Sequence, residues 1–338
     1  MLSQRQALSI FRNMLLSRRF EEMAIDLWET VETEGHRHVY IGQEAVGAVV
    51  MELLGKEDLI LTTHRNHGHI IMRGADPGRA LAEILGRVDG FNGGRGGSAG
   101  MLVRDLGFLL TTGIVGGGAG LGTGAAFAQK IKGKSNISVA FFGDGGLEEG
   151  IAFESMNFAA LYDLPVLYVC ENNSVGTVTG RAQNEWSSSS MSAETLGDIP
   201  RSLRIATKVV DGADVDAIYQ AVVALTDKLR AGTAPAFIEM RTRRWPGSRS
   251  VLPKLVTGIT DLSIIWDPDY VSGEHAEWTH RYDPIVLFGR LLIAEKNVSP
   301  DALTAADEEV HGIMRIARDF ALASPMPSAE SGLTGTFA

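Results

Sequence analysis

Two residues of this 338-residue sequence have the type and placement to hold a divalent cation: Asp144, in Gly143-Asp144-Gly145-Gly146, and Asn173, in Glu171-Asn172-Asn173. Each follows a short apolar run, residues 138–142 before the first and 165–169 before the second, with a helical pattern between. A strand–helix–strand unit implies parallel strands, and if the two are neighbours both side chains emerge at one carboxyl edge of the sheet. A carboxylate and an amide oxygen are hard ligands, suited to Mg²⁺ or Ca²⁺ rather than zinc. The glycines free backbone amides to approach an anion, and Mg²⁺ shares its shell with phosphate oxygens, so the pair points to a diphosphate. Either half alone reads better as a turn with Asp144 capping a helix; the pair on successive strands reverses that preference.

Other constellations carry weaker signals. His64, His67 and His69 invite a zinc reading, but no carboxylate or cysteine completes a regular ligand pattern. Arg241, Arg243, Arg244 and Arg249 suit a phosphate or acidic partner, and equally a solvated strand end. Gly120-Leu121-Gly122-Thr123-Gly124-Ala125 fits a loose dinucleotide pattern, which close helix packing explains as well. Glycine clusters at residues 93–97 and 113–118 mark loops whose backbone approaches a ligand or a packed helix.

The elements that must position these residues follow from periodicity. Ile10, Phe11, Met14, Leu15, Phe20, Met23, Ala24, Leu27 and Trp28 recur at helical spacing, as a packing helix with a basic outer face; the early arginines are a weaker transit-peptide signal. Helices are expected near residues 42–54, 78–85, 147–162 and 215–230, the third with Ile151, Phe153, Met156 and Ala160 on its apolar face. Residues 62–68 read as a polar stretch, 236–241 as a further strand, 245–282 as a long loop and 284–323 as helix. The expected fold class is α/β, one domain over residues 1–338, its parallel sheet flanked by helices. A helical extension covers about 1–55, the core about 90–245, and a second helical extension closes the chain.

Composition narrows the partners. The apolar share of 45% supports a sizeable core, and the net charge of −10 argues against an electrostatic grip on nucleic acid or an anionic membrane. Cys170 is the only cysteine, which excludes an internal disulfide and a multi-cysteine metal cluster. No apolar run approaches the ~18 residues of a membrane span, so a soluble, cytoplasmic protein is expected.

Gly143-Asp144-Gly145 with Asn172-Asn173, Asp144 and Asn173 lying 29 positions apart (173 − 144), resembles the thiamine-diphosphate motif. More closely, the chain resembles the alpha subunit of the heterotetrameric 2-oxoacid dehydrogenases of pyruvate, branched-chain and acetoin type. The likeness covers nearly the whole chain: His38 with Gly42-Gln43-Glu44-Ala45, residues 64–68, 94–98 and 113–116, Glu154 and Asn157, residues 210–215, and Asp283-Pro284-Ile285. It implies the thiamine-diphosphate-binding fold, with Mg²⁺ held by Asp144, Asn173 and the carbonyl of Val175. Gly145, Gly146 and Arg65 would meet the diphosphate, Gly113 and Val115 the aminopyrimidine, and His38 the reacting carbon, with His64 beside Arg65. It also implies a beta subunit that supplies the pyrimidine-activating glutamate in an α2β2 assembly, a small ketone or 2-oxoacid substrate, and a lipoyl acyltransferase as acceptor.

Two positions depart from the family pattern. Ser248 and Gly100 stand where relatives carry histidine, and Ser248 would offer the diphosphate only a hydroxyl. That loss motivates an alternative, a lipoyl-independent thiamine enzyme forming a carbon–carbon bond with a carbonyl acceptor. A catalytically silent scaffold and a nicotinamide dehydrogenase rank lower, because Asp144, Asn173 and Arg65 are all in place.

Overall fold

A computed structural model describes residues 2–31, 33, 35, 37–173, 193–232, 235–249, 253–267, 269 and 273–334. The chain begins with α1 (Gln4–Thr30), α2 (Glu44–Leu53), β1 (Leu59–Thr63), α3 (His67–Met72), α4 (Pro77–Ile84) and β2 (Phe108–Thr112). Then come α5 (Gly117–Ile131), β3 (Ser138–Gly143), α6 (Asp144–Leu147), α7 (Gly150–Leu161) and β4 (Val166–Asn172). The remainder is α8 (Asp198–Ser202), β5 (Ala206–Asp211), α9 (Val215–Arg230), β6 (Ala236–Arg241), α10 (Ala276–Arg281), α11 (Pro284–Lys296) and α12 (Pro300–Ala323).

Among the described residues the strands form one sheet in the order β2-β1-β3-β4-β6-β5, and every neighbouring pair is parallel. Its central strands are buried on both faces, which is why they read as unbroken apolar runs. Alternate residues serve different layers: Val139 and Phe141 join a large cluster with α1, α2 and α9, while Ala140 and Phe142 join a smaller one with α5 and α7. Small residues let α5 lie close to the sheet. A Cβ on Gly122 would come within 2.8 Å of the Ala140 Cβ, so packing accounts for the dinucleotide-like glycines.

Several expectations need correction. α1 packs into the core as expected, but its basic outer face is smaller than expected: Arg5 is exposed, whereas Arg18 and Arg19 are buried. Arg18 reaches Glu44 at 2.6 Å and Asp283 at 2.9 Å, tying α1 to the starts of α2 and α11. Arg19 pairs with Glu22 and Asp307, both at 2.7 Å. Burial pushes the Arg18 guanidinium down, but its two carboxylates outweigh that and hold it charged. The basic appearance came from reading one helix without the acids that three distant elements bring to it.

Strands β1, β2 and β5 are additions to the expected set. β1 ends in two threonines, β2 lies in the glycine-rich stretch, and β5 is a partly exposed edge strand, so none shows a long apolar run. The helix expected over 147–162 is α7, preceded by the short α6, and α7 buries Ala152, Ser155, Met156 and Ala159 while Ile151 and Phe153 stay exposed. The larger side chains lie on the side away from the core. Residues 245–282 are more ordered than a loop reading implies: Leu262, Ile264 and Ile265 are buried against the core, and α10 follows.

Candidate active site

The carboxyl ends of five strands converge on one cavity of about 220 Å³, where an open parallel α/β sheet takes its ligand. Thr62, Thr63, His64 and Arg65 come from the end of β1, Thr112 from the last residue of β2 with Ile114 and Val115 just beyond it, and Phe141 to Gly146 from β3 and the turn into α6. Glu171 and Asn173 come from β4, Arg244 from beyond β6, and Gln43 from the residue before α2.

The β3–β4 register brings the two expected cation ligands together. Gly143 lies opposite Glu171 in a parallel ladder, so Asp144 and Asn173 leave neighbouring strands at the same edge. Asp144 opens α6, and a first helical turn leaves its backbone N–H groups without intrahelical acceptors. Gly145 and Gly146 belong to that turn and line the cavity. At Gly145 a Cβ would meet nothing within 4 Å, while at Gly146 it would press on the Phe142 Cβ at 3.0 Å.

Across the cavity α5 starts from Gly116, whose φ of 74° lies in the left-handed region and whose Cβ would come within 2.8 Å of Glu149. Val115 lines the cavity beside it, with Ile114 still more exposed at the mouth. Gly113 is exposed one residue before the lining begins again at Ile114.

Cationic side chains close another wall. Arg65 is buried, donates to the Val39 carbonyl at 2.8 Å, and forms no ion pair with a carboxylate among the described residues. Burial and the neighbouring Arg244 push its guanidinium down to about 10, so it is charged at neutral pH in surroundings short of negative charge. An anion in the cavity would relieve that shortage. His38 and His64 meet edge to face, their ring centroids 4.6 Å apart. Burial, with Arg65 and Arg244 adding to it, pushes the His64 imidazole down to about 4.

The three clustered histidines diverge. His67 Nδ1 lies 3.0 Å from Glu21, with its Nε2 at the Ser98 carbonyl and hydroxyl; His69 bridges Thr62 and Glu171. Only His64 reaches the cavity, and among the described residues no three His, Cys, Asp or Glu side chains form a metal-binding group.

The structure does not bring Ser248 to the cavity. It is buried in a 3₁₀ turn, and its hydroxyl donates to the Trp245 carbonyl at 2.8 Å. Gly100 closes a turn onto Gly96, whose carbonyl would lie 2.8 Å from an added Cβ. The carbonyl of Val175 lies outside the described residues.

Sequence reasoning passed over Gln43 and Glu171 as site residues, and it named Arg244 only within a basic run that suited a phosphate and a solvated strand end equally. Each stood next to a recognised motif or within a basic run, but only the sheet order carries them to one cavity. The glycine loop at 90–97 has another purpose. It wraps the buried Glu83 carboxylate, which accepts from the backbone N–H groups of Asn92, Gly94, Gly96 and Gly97 at 2.7 to 3.2 Å.

A doubly wound sheet with an acid, an amide, glycines and arginines lining a cavity at its carboxyl edge is the arrangement of an α/β enzyme subunit that takes an anionic ligand there. Residues 12–250 match the family described as Dehydrogenase E1 component. The pyruvate dehydrogenase E1 component subunit alpha of Rhizobium meliloti (strain 1021) is 37% identical over 328 residues, covering 96% of this chain and 88% of that protein. The subunit of the same name from Rickettsia bellii (strain RML369-C) is 33% identical, over 95% and 92% of the two chains. The mitochondrial one from Dictyostelium discoideum is 33% identical, over 98% and 82%. The chain belongs to the dehydrogenase E1 component family, as the alpha subunit of a thiamine-diphosphate-dependent 2-oxoacid dehydrogenase.

Proposed function

We propose that this alpha subunit supplies the diphosphate-binding half of an enzyme that decarboxylates pyruvate or a closely related 2-oxoacid and passes the acyl unit to a lipoyl arm. The observation that carries this reading is the β3–β4 register, which sets Asp144 and Asn173 at one edge beside Gly145, Gly146 and Arg65. The donor set fits Mg²⁺ with a diphosphate: hard oxygens from Asp144 and Asn173, open backbone at Gly145, and an arginine short of counter-charge. Val175 would add its carbonyl to the cation. When bound, thiamine diphosphate stabilises the carbanion left by decarboxylation.

The chain's own residues hold and orient. Arg65 and Arg244 balance phosphate charge, Val115 and the backbone at Gly113 face the pyrimidine side, and His38, its ring against that of His64, is the residue that the family resemblance assigns to the reacting carbon. His64 enters as a neutral imidazole, a hydrogen-bonding wall rather than an acid. The Ser248 hydroxyl donates to the Trp245 carbonyl and the residue does not line the cavity, and no contact among the described residues of the site favours the carbon–carbon-bond-forming alternative, which is motivated by the absence of a histidine there.

A beta subunit completes the site. Leu121 and Phe127 of α5 and Ile151, Phe153, Phe158 and Leu161 of α7 are exposed on two helices that pack together, Leu161 to 70%. Such a contiguous apolar face suits a permanent partner, here the beta chain of an α2β2 assembly. No helix among the described residues is long and apolar enough to cross a membrane, which fits a cytoplasmic enzyme.

The test is calorimetric titration of the α/β complex with thiamine diphosphate and Mg²⁺. Asp144→Ala is expected to abolish Mg²⁺-dependent binding; unchanged affinity would overturn the site assignment.

A further inference from the structure

Gln43 ends the turn into α2, and that turn is held from several sides. Gly42, with φ +97°, donates its N–H to Glu44 Oε2 at 2.8 Å, and an added Cβ there would come within 2.3 Å of the Arg243 carbonyl. Glu44 is in turn fixed by Arg18 at 2.6 Å, and the Ile41 carbonyl accepts from Trp245 N–H at 3.2 Å. The backbone of Gln43 therefore has little freedom. Its side chain is 1% exposed and lines the cavity.

The two arms of that amide have different surroundings. Oε1 lies 3.4 Å from both Asn173 Nδ2 and Thr242 Oγ1, which are placed side by side because Thr242 N–H donates to the Asn172 carbonyl at 2.8 Å. Nε2 is buried and meets no hydrogen-bond partner among the described residues. A buried amide with one arm satisfied and the other unpartnered is arranged for a ligand that has yet to bind.

We propose that Gln43 is a positioning residue: by accepting from Asn173 Nδ2 it turns the Asn173 amide oxygen toward the divalent cation, and its own Nε2 is left to donate to the bound anion. The inference rests on the reading of Asp144 and Asn173 as cation ligands. An asparagine serves a cation only through its oxygen, so half of its amide orientations are unproductive. A fixed acceptor for the nitrogen removes that half. Residues behind metal ligands typically govern affinity by about 10- to 100-fold, and Gln43 acts at that range without touching the cation.

The experiment measures Mn²⁺ affinity, from the free-ion electron paramagnetic resonance signal, in the α/β complex with thiamine diphosphate present. Gln43→Met keeps the length and burial of the side chain but removes the acceptor, and is expected to weaken Mn²⁺ binding about tenfold. In an Asn173→Asp background the same change is expected to cost less than about twofold, because a carboxylate presents an oxygen in either orientation. Gln43→Glu keeps an acceptor for Asn173 but sets a carboxylate oxygen where Nε2 would donate to the anion, so it is expected to bind Mn²⁺ at least as tightly as the natural chain when thiamine diphosphate is left out. It keeps the proposal falsifiable where the double variant does not fold. Unfolding temperatures of the metal-free complexes confirm that each variant is assembled.

An equal loss in both backgrounds, no loss in Gln43→Met, or a tenfold loss in Gln43→Glu measured without thiamine diphosphate would overturn the proposal. Unchanged Mn²⁺ binding in Asp144→Ala would instead overturn the site reading, and this inference with it. Full loss in Asp144→Ala with a silent Gln43→Met refutes the positioning role alone.

Discussion

Glu171 and His69 meet beneath the cavity, with Glu171 Oε1 3.2 Å from His69 Nε2. The same carboxylate oxygen accepts from the Tyr40 hydroxyl, and His69 Nδ1 lies 2.6 Å from Thr62 Oγ1. Burial, reinforced by Glu171, pushes the Tyr40 hydroxyl well above its usual range, so it remains a donor. His69 Nε2 faces the same carboxylate oxygen and is placed to donate to it. Three elements are thereby tied under the site by one carboxylate. Glu171→Ala is expected to cost about 2–4 kcal/mol of stability, because it leaves two buried donors without an acceptor. Glu171→Gln, which keeps one acceptor oxygen, should cost less than half of that in urea unfolding. An unchanged midpoint in Glu171→Ala would show that the network is dispensable.

The His64 imidazole makes stability depend on pH. In the unfolded chain it takes up a proton near 6.5, whereas in the folded chain burial and two arginines delay this to about 4. Between those values the unfolded state binds more protons, so stability is lost as pH falls from 6.5 towards 4, by up to roughly 3 kcal/mol. Above pH 7 the residue contributes no slope. Comparing urea midpoints at pH 7 and pH 5 for the natural chain and His64→Gln checks this. The variant should lose less on acidification; parallel losses would show that His64 titrates normally.

Glu83 is the centre around which residues 92–97 fold. Its carboxylate takes four backbone N–H groups, and a Cβ on Gly90 would come within 2.4 Å of one of its oxygens. Glu83→Gln replaces one acceptor oxygen with a donor facing backbone donors. A loss of about 2–4 kcal/mol is expected, two N–H groups being orphaned. Hydrogen exchange should speed up across 90–100 first. Protection equal to the natural chain would mean that other groups hold the loop.

The apolar face of α5 and α7 gives a prediction about assembly. Leu121→Asp with Phe158→Asp puts charge on exposed positions of the isolated chain, and with the ring contacts of Phe158 to Phe127 and Tyr162 lost its stability should fall by no more than about 2 kcal/mol. Mixed with the beta subunit, the variant should fail to form the heterotetramer in gel filtration, because two charges would be buried without partners. Normal assembly would place the beta subunit on another face.

Asp144 and Asn173 were legible in the sequence because the information about them is local. Each closes a strand buried on both faces, within one crossover unit, and the right-handed parallel connection leaves little choice about where they end. The family was legible for a related reason: its motifs are short runs at chain turns, where a cofactor's phosphates constrain the backbone as well as the side chains. Other features required the tertiary structure. Gln43 meets Asn173 across 130 positions, through a turn fixed by Arg18, Glu44 and Trp245. Arg18 looked like part of a basic surface until Glu44 and Asp283 arrived from elsewhere to bury it. Glycines that signalled a ligand loop enclose Glu83, and Ser248, which the motif alignment assigned to the diphosphate, donates to its own turn. α7 carries apolar residues on two sides, and periodicity cannot tell the side that meets the sheet from the side left for a partner. Local pattern determines which residues end a strand or cap a helix; which distant groups compensate a charge or satisfy an amide is decided only by the order in which the strands pair.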